Sequence, residues 1–164
     1  MKKTILSIAN SARTIGAVIM IGLVSVTYTG CKQEGCTDVD ANNYDEKADT
    51  DDGTCTFDRD AMIGSYSASG SVACGVTGTS TTTGLPLTVS ESTVSNTKIV
   101  VNLDGIALTA TVSGTTFTID NQTVDGFSYS GNGTISGNVL NVTINEFDAA
   151  IPETCVYTLN AARQ

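Results

Sequence analysis

Cys36 and Cys55 enclose Asp38, Asp40, Asp45, Glu46, Asp49, Asp51 and Asp52, with Asn42 and Asn43 between them. Carboxylates and amide carbonyls offer oxygen ligands only, a set that suits calcium in preference to zinc or copper. Asp38, Asp40 and Asn42 stand at alternate positions, as an EF-type loop begins, and Asp49 falls at its twelfth. The sixth position is Asn43 where that loop needs Gly, and no helical pattern flanks it, so an EF-hand is excluded. A second set of carboxylates, Asp120, Asp125, Glu146, Asp148 and Glu153, could in pairs serve acid–base hydrolysis. Their placement near strand ends is equally what ordinary turns produce. The chain has no His, which removes Ser-His-Asp and Cys-His triads and the ligand on which most catalytic zinc sites rely. No catalytic residue is assigned, and a protein without enzymatic activity is expected.

The chain holds five cysteines, and an odd number in an exported protein needs an explanation. Lys2, Lys3 and Arg13 give a basic start, and Ile15 to Val26 is apolar apart from Gly16, Gly22 and Ser25. That run is too short to span a bilayer, which takes about 20 apolar residues. No acidic residue precedes Glu34, so residues 1–30 read as a secretory signal peptide. Tyr28-Thr29-Gly30-Cys31 resembles a bacterial lipobox, in which a small residue precedes a cysteine that receives diacylglycerol and becomes the new N-terminus. Tyr28 departs from that pattern, where an aliphatic residue is usual. The resemblance implies lipidation of Cys31 and an anchor in the cell envelope, at the outer membrane, with residues 31–34 as the tether. Acyl chains contribute ~0.8 kcal/mol per buried methylene, enough to hold the protein without a transmembrane helix. Cys36, Cys55, Cys74 and Cys155 then remain, an even set that should pair in an oxidising compartment.

Residues 31–164 carry five Lys or Arg against seventeen acidic residues, a formal charge of −12. Nucleic acid is therefore not an expected partner, since binding it demands a basic patch. Ten of the carboxylates fall between Glu34 and Asp60 and seven in the hundred residues after it, which marks a boundary near Asp60. Two modules follow: an acidic one over residues 35–60 and a second over residues 61–164.

The acidic stretch resembles a cysteine-bounded repeat of secreted and surface proteins from Bacteroidetes-type bacteria. The matching residues are Gly35-Cys36-Thr37-Asp38, Ala41, Asn43-Tyr44, Ala48, Asp51-Asp52-Gly53-Thr54-Cys55 and Phe57; Val39 stands where Pro is usual. The resemblance implies a Cys36–Cys55 bridge, whose closure removes unfolded-state entropy worth ~3 kcal/mol in the chain-entropy model. Ala41, Tyr44, Ala48 and Phe57 are the expected packing residues. Asp38, Asp51 and Asp52, with Asp40, Asn42 and Asp49 behind them, are the candidate calcium ligands. A solvated acidic face without metal is the competing reading.

From Met62 onward the hydrophobic period is two, the mark of half-buried strands. Tyr66, Ala68, Val72 and Cys74 alternate with small polar residues, as do Leu85, Leu87 and Val89. Ile99, Val101 and Leu103 precede Asp104-Gly105, with Ile106, Leu108, Ala110 and Val112 beyond it. An Asp-Gly pair between alternating runs is a strong hairpin signal. Phe117 and Ile119, Phe127 and Tyr129, Leu140 to Ile144, and Cys155 to Leu159 continue the series, giving eight or nine short strands and no helical pattern. The expected fold is all-β: a small antiparallel up-and-down barrel, with a β-sandwich as the alternative. Cys74 and Cys155 share parity with the apolar residues of the first and last strands, as a bridge between those strands requires. Such a bridge favours the barrel, which has no exposed edges.

Gly64-Ser65-Tyr66 is similar to the Gly-x-Trp opening of lipocalin-like domains, with Tyr in place of Trp. The resemblance implies a barrel of that shape. Tyr66, Phe117, Phe127, Tyr129 and Tyr157 are the candidates to line a cavity for a small apolar or glycan ligand; otherwise they are core. The expected function is a lipid-anchored envelope protein of structural or interaction type, with small-ligand binding as the alternative.

Overall fold

The computed structural model describes residues 32–164; the signal segment and Cys31 lie outside them. Strands β1 (Glu34–Gly35) and β2 (Thr50–Asp51) form a parallel pair of two residues each. The loop between them is closed by the Cys36–Cys55 disulfide. Cys36 and Ala41 are buried in the module, but Tyr44 is 42% exposed, so it is not the packing residue its motif position suggests. A module of this size has interior room only for the disulfide and small side chains. A single 3-10 turn, Asp58–Ala61, leads out of it.

Eight antiparallel strands follow: β3 (Gly64–Cys74), β4 (Gly78–Glu91), β5 (Lys98–Leu103), β6 (Ile106–Ser113), β7 (Thr116–Val124), β8 (Phe127–Ser136), β9 (Val139–Asp148) and β10 (Glu153–Arg163). Each pairs with its chain neighbour, and β10 pairs with β3 from Cys155↔Cys74 to Arg163↔Tyr66. The sheet is thus a closed up-and-down barrel, not a sandwich, in which every strand has a neighbour on both sides over at least part of its length. The Cys74–Cys155 disulfide joins directly opposed residues across that seam. Alternation does the sorting. On β9, Leu140, Val142 and Ile144 are buried, with Asn141 exposed and Thr143 half-buried between them. The outer face carries residues such as Ser65, Ser69, Asn141 and Thr158, all exposed, the reverse of a membrane-spanning barrel with its apolar exterior.

Four hairpins turn on two residues. Asp104-Gly105 and Asp125-Gly126 have positive φ at both positions (49° and 95°, 50° and 90°), the type I′ geometry that matches strand twist. Two bulges break the alternation, one in β4 opposite Ala68–Gly70 and one in β7 between Ile119 and Gln122. Each adds a residue to one strand and so changes which side chains face inward beyond it. The first half of β4, Gly78–Gly84, has no apolar alternation; it forms because β-branched Thr residues suit the pleat and β3 pairs with it.

The barrel's ends differ. One is sealed: Met62 is fully buried beneath the 3-10 turn, and the Tyr66 hydroxyl donates to the Met62 carbonyl at 2.7 Å. Arg163 donates to the Tyr66 oxygen at 2.8 Å and to the Ala61 carbonyl, with its guanidinium 5.4 Å from the Tyr66 ring centre. Arg59, 7% exposed, donates to the carbonyls of Ser95 (2.9 Å) and Ser92 (3.4 Å). The Asp58 carboxylate accepts from the Gly114 N–H at 2.7 Å, and Asp38 accepts from the Asn96 amide at 2.6 Å. These bonds fasten the module and its exit turn to the loops of that end.

Candidate functional site: a cavity at the open end

The opposite end holds a cavity of about 200 Å³. Its apolar wall is Val72, Leu85, Leu103, Ile106, Leu108 and Ile144; Thr82, Asp104, Tyr129, Glu146 and Tyr157 supply its polar atoms. Topology explains the opening. The β4–β5 ladder runs only from Leu87↔Leu103 to Glu91↔Ile99, so the first half of β4 rises above β5. Pro86, which lacks an N–H, sits where that ladder ends. The β4 bulge turns Thr82 inward.

A second parting lies between β6 and β7. Their ladder stops at Ala110↔Ile119, beside the β7 bulge. Past that point the Gln122 side chain replaces it: its oxygen accepts from the Thr109 N–H at 3.0 Å, and its nitrogen donates to the Thr109 carbonyl at 2.9 Å. The amide satisfies groups that would otherwise be stranded where the strands separate.

Glu146 is the chemical centre of the cavity. It lies two residues beyond Ile144 on the inward face of β9, directly opposite Tyr129 on β8 and Cys155 on β10. The Tyr157 hydroxyl donates to Glu146 Oε2 at 3.2 Å. Burial pushes the Tyr129 hydroxyl up to about 12, helped by the negative charge of Glu146 and a hydrogen bond to it. Tyr157 is raised for the same reasons, burial first. Both phenols therefore stay protonated and act as donors across the physiological range. No Lys or Arg lines the cavity.

Of the five aromatics singled out by sequence, Tyr129 and Tyr157 line the cavity and the other three do not. Tyr66 belongs to the sealed end. Phe117 is core; its ring occupies the space a side chain at Gly133 would need. Phe127 packs beside Tyr129 with ring centres 6.5 Å apart, supporting the wall from outside the cavity. In the sequence Glu146 stands only as one of several candidate hydrolytic carboxylates. Its even parity with Leu140, Val142 and Ile144 was the available signal.

Among those other carboxylates, Asp120 pairs with Lys98, which holds it below the usual carboxylate range. Glu153 accepts from the Val76 (2.6 Å) and Thr77 (3.0 Å) N–H groups, which lowers its pKa as well. Asp148 accepts from the Ala150 N–H at 2.7 Å. These three hold strands and turns in place.

In the acidic module, carboxylates also cap their own turns. Asp38 accepts from Asp40 N–H (3.0 Å), Asp51 from Gly53 N–H (3.1 Å), and Asp52 from the Thr54 N–H (2.9 Å) and hydroxyl (2.6 Å). Asp40, Asn42 and Asp49 lie exposed around the same loop. Among the described residues, the one group of three acidic or sulfur side chains near enough to share a cation is Cys74, Glu153 and Cys155, and its two cysteines are already the seam disulfide.

Compared with known proteins, the chain matches no family model and no curated protein.

Proposed function

We propose that the protein is a lipid-anchored envelope protein whose barrel binds a small ligand at its open end. The observation that carries the binding reading is the one-sided cavity: an apolar chamber with a few convergent polar groups is the usual form of a ligand site. At about 200 Å³ it suits a molecule of one ring or a short chain. The lipidation motif at Cys31 supports attachment to the outer membrane, on either its periplasmic or its outward face. Among the described residues no helix is long and apolar enough to cross a membrane, and the polar outer face of the barrel suits water. Nothing in this reading calls for catalysis.

A ligand-observed magnetic resonance titration with 2-phenylethanol, a neutral one-ring probe, tests the binding reading. Saturation transfer is expected with the unaltered chain and its loss is expected with Val72→Phe, which fills the mouth. No transfer to the unaltered chain, or transfer that survives Val72→Phe, contradicts it.

The reading of the protein as a structural or interaction component draws on exposed apolar side chains of the module and of the β4–β5 loop. Val39 is 73% exposed, Val94 82% and Tyr44 42%, and Val39 and Val94 flank the Asp38–Asn96 contact. Replacing all three with Ser and measuring retention on intact cells tests that reading; unchanged retention and unchanged partners in cross-linking contradict it.

For the module, we infer that its carboxylates serve as turn caps, with calcium as the alternative that thermal melts in chelator and in excess calcium distinguish.

A further inference from the structure

The basic side chains lie toward the sealed end of the barrel, whereas acidic ones are found at both ends. Arg59 and Arg163 sit at the sealed end, where Arg59 faces Glu91, and Lys98 is bound to Asp120. Asp104, Asp125, Glu146, Asp148 and Glu153 lie on the strand ends and hairpins around the cavity mouth. Among the described residues, no ion pair joins any of these five to a Lys or Arg. We propose that the cavity takes a small organic cation, its ammonium or amidinium group facing Glu146 and its ring or short alkyl body against the Val72–Leu108–Ile144 wall. The inference rests on reading the cavity as a ligand site and names the chemistry of its occupant.

A carboxylate on an inward strand position needs hydrogen-bond or charge partners. The two phenols supply two donors, and a carboxylate accepts about four hydrogen bonds, so acceptor capacity remains on the cavity side. The tyrosine rings add faces that attract cations. At the sealed end the protein fills this role itself, with the Arg163 guanidinium 5.4 Å from the Tyr66 ring; at the open end it places tyrosines and no cation. Finally, the ionisable side chains around the mouth are carboxylates, an arrangement that draws cations and repels carboxylate ligands such as fatty acids. In size the cavity, about 200 Å³, exceeds the roughly 150 Å³ that accommodates benzene.

The test is a calorimetric titration of the purified chain with three probes of similar shape: phenethylamine, 2-phenylethanol and phenylacetate. The amine is expected to bind at least about tenfold tighter than the alcohol, the difference a charged hydrogen bond makes, and phenylacetate is expected not to bind. Glu146→Gln should abolish the preference for the amine over the alcohol. An amine that binds no tighter than the alcohol, or a preference that survives Glu146→Gln, overturns the cation assignment while leaving a ligand site standing. Silence of all three probes overturns both. The three-probe comparison on the unaltered protein decides on its own if the variant fails to fold.

Discussion

The sealed and open ends of the barrel are built from the same ingredients and arrive at opposite states. Each has a tyrosine whose hydroxyl is hydrogen-bonded: Tyr66 to the Met62 carbonyl and Arg163, Tyr157 to Glu146. At the sealed end the 3-10 turn lies over the barrel, Met62 fills it, and two arginines donate to carbonyls left by the loops. At the open end β4 outruns β5, the β6–β7 ladder stops early, and an acid faces the gap. Closure follows from a plug whose guanidinium Nη groups find acceptors, while the Nε atoms of Arg59 and Arg163 are buried without one. The cavity follows from strands that part company before their side chains can meet.

The largest expected difference between the ends comes from truncating a tyrosine at each. Tyr66→Ala should cost about 3–5 kcal/mol in urea unfolding, as large aromatic deletions in a packed core do. Tyr157→Ala should cost less than half as much, because its ring already borders open space. Equal costs would mean that the ends are packed alike.

The next effect in size concerns the seam. Replacing Cys74 and Cys155 together with Ser should lower stability by about 2–4 kcal/mol. The register from Ala73↔Val156 to Tyr66↔Arg163 should survive, because it rests on main-chain bonds. Amide exchange checks both: protection should drop at the open-end half of β3 and β10 and persist near Arg163. Loss of protection along both whole strands would show that the bridge, not the ladder, closes the barrel.

Alkaline pH separates the ends through Tyr129. Its folded pKa is raised from about 10 to about 12, so the native state retains a proton that the unfolded chain has lost. The stabilising contribution is complete below pH 10 and is lost as pH rises toward 12. Stability should therefore fall over that window by on the order of 2 kcal/mol from this group, and Tyr129→Phe should flatten the fall. An unchanged profile in Tyr129→Phe would place the burden elsewhere.

The smallest effect is expected in the module. With its carboxylates capping turns, calcium and chelator should shift the melting temperature by no more than experimental error. A calcium-dependent rise abolished by Asp38→Asn and Asp51→Asn would instead make the loop a cation site.

Much of this molecule was readable from its residues, for identifiable reasons. The two-residue period gives the inward face of the barrel strands outside the early half of β4 and the stretch of β7 past its bulge, and the shared parity of Cys74 and Cys155 anticipates the seam they join. Asp104-Gly105 announces its hairpin because few other pairs tolerate two positive φ values. Parity, however, says in or out and not how far along the barrel axis. Tyr66 near the start of β3 and Tyr157 near the start of β10 look equivalent in pattern, yet the two strands run in opposite directions and place the rings at opposite ends. The bulges were hidden because an inserted residue shifts the pattern only after it occurs. The early half of β4 was hidden because it pairs without an apolar alternation. Glu146 was visible as an acid on an apolar face, but only the third dimension shows that the face borders a cavity.

The proposed site makes the open end the working end of the barrel. Titrating isotopically labelled protein with phenethylamine, and following every backbone amide by nuclear magnetic resonance, tests that directly. Shifts confined to the mouth, around Val72, Tyr129, Glu146 and Tyr157, are the predicted result. Shifts centred on the module or the sealed end around Arg59 and Arg163, or none at millimolar probe, would contradict it.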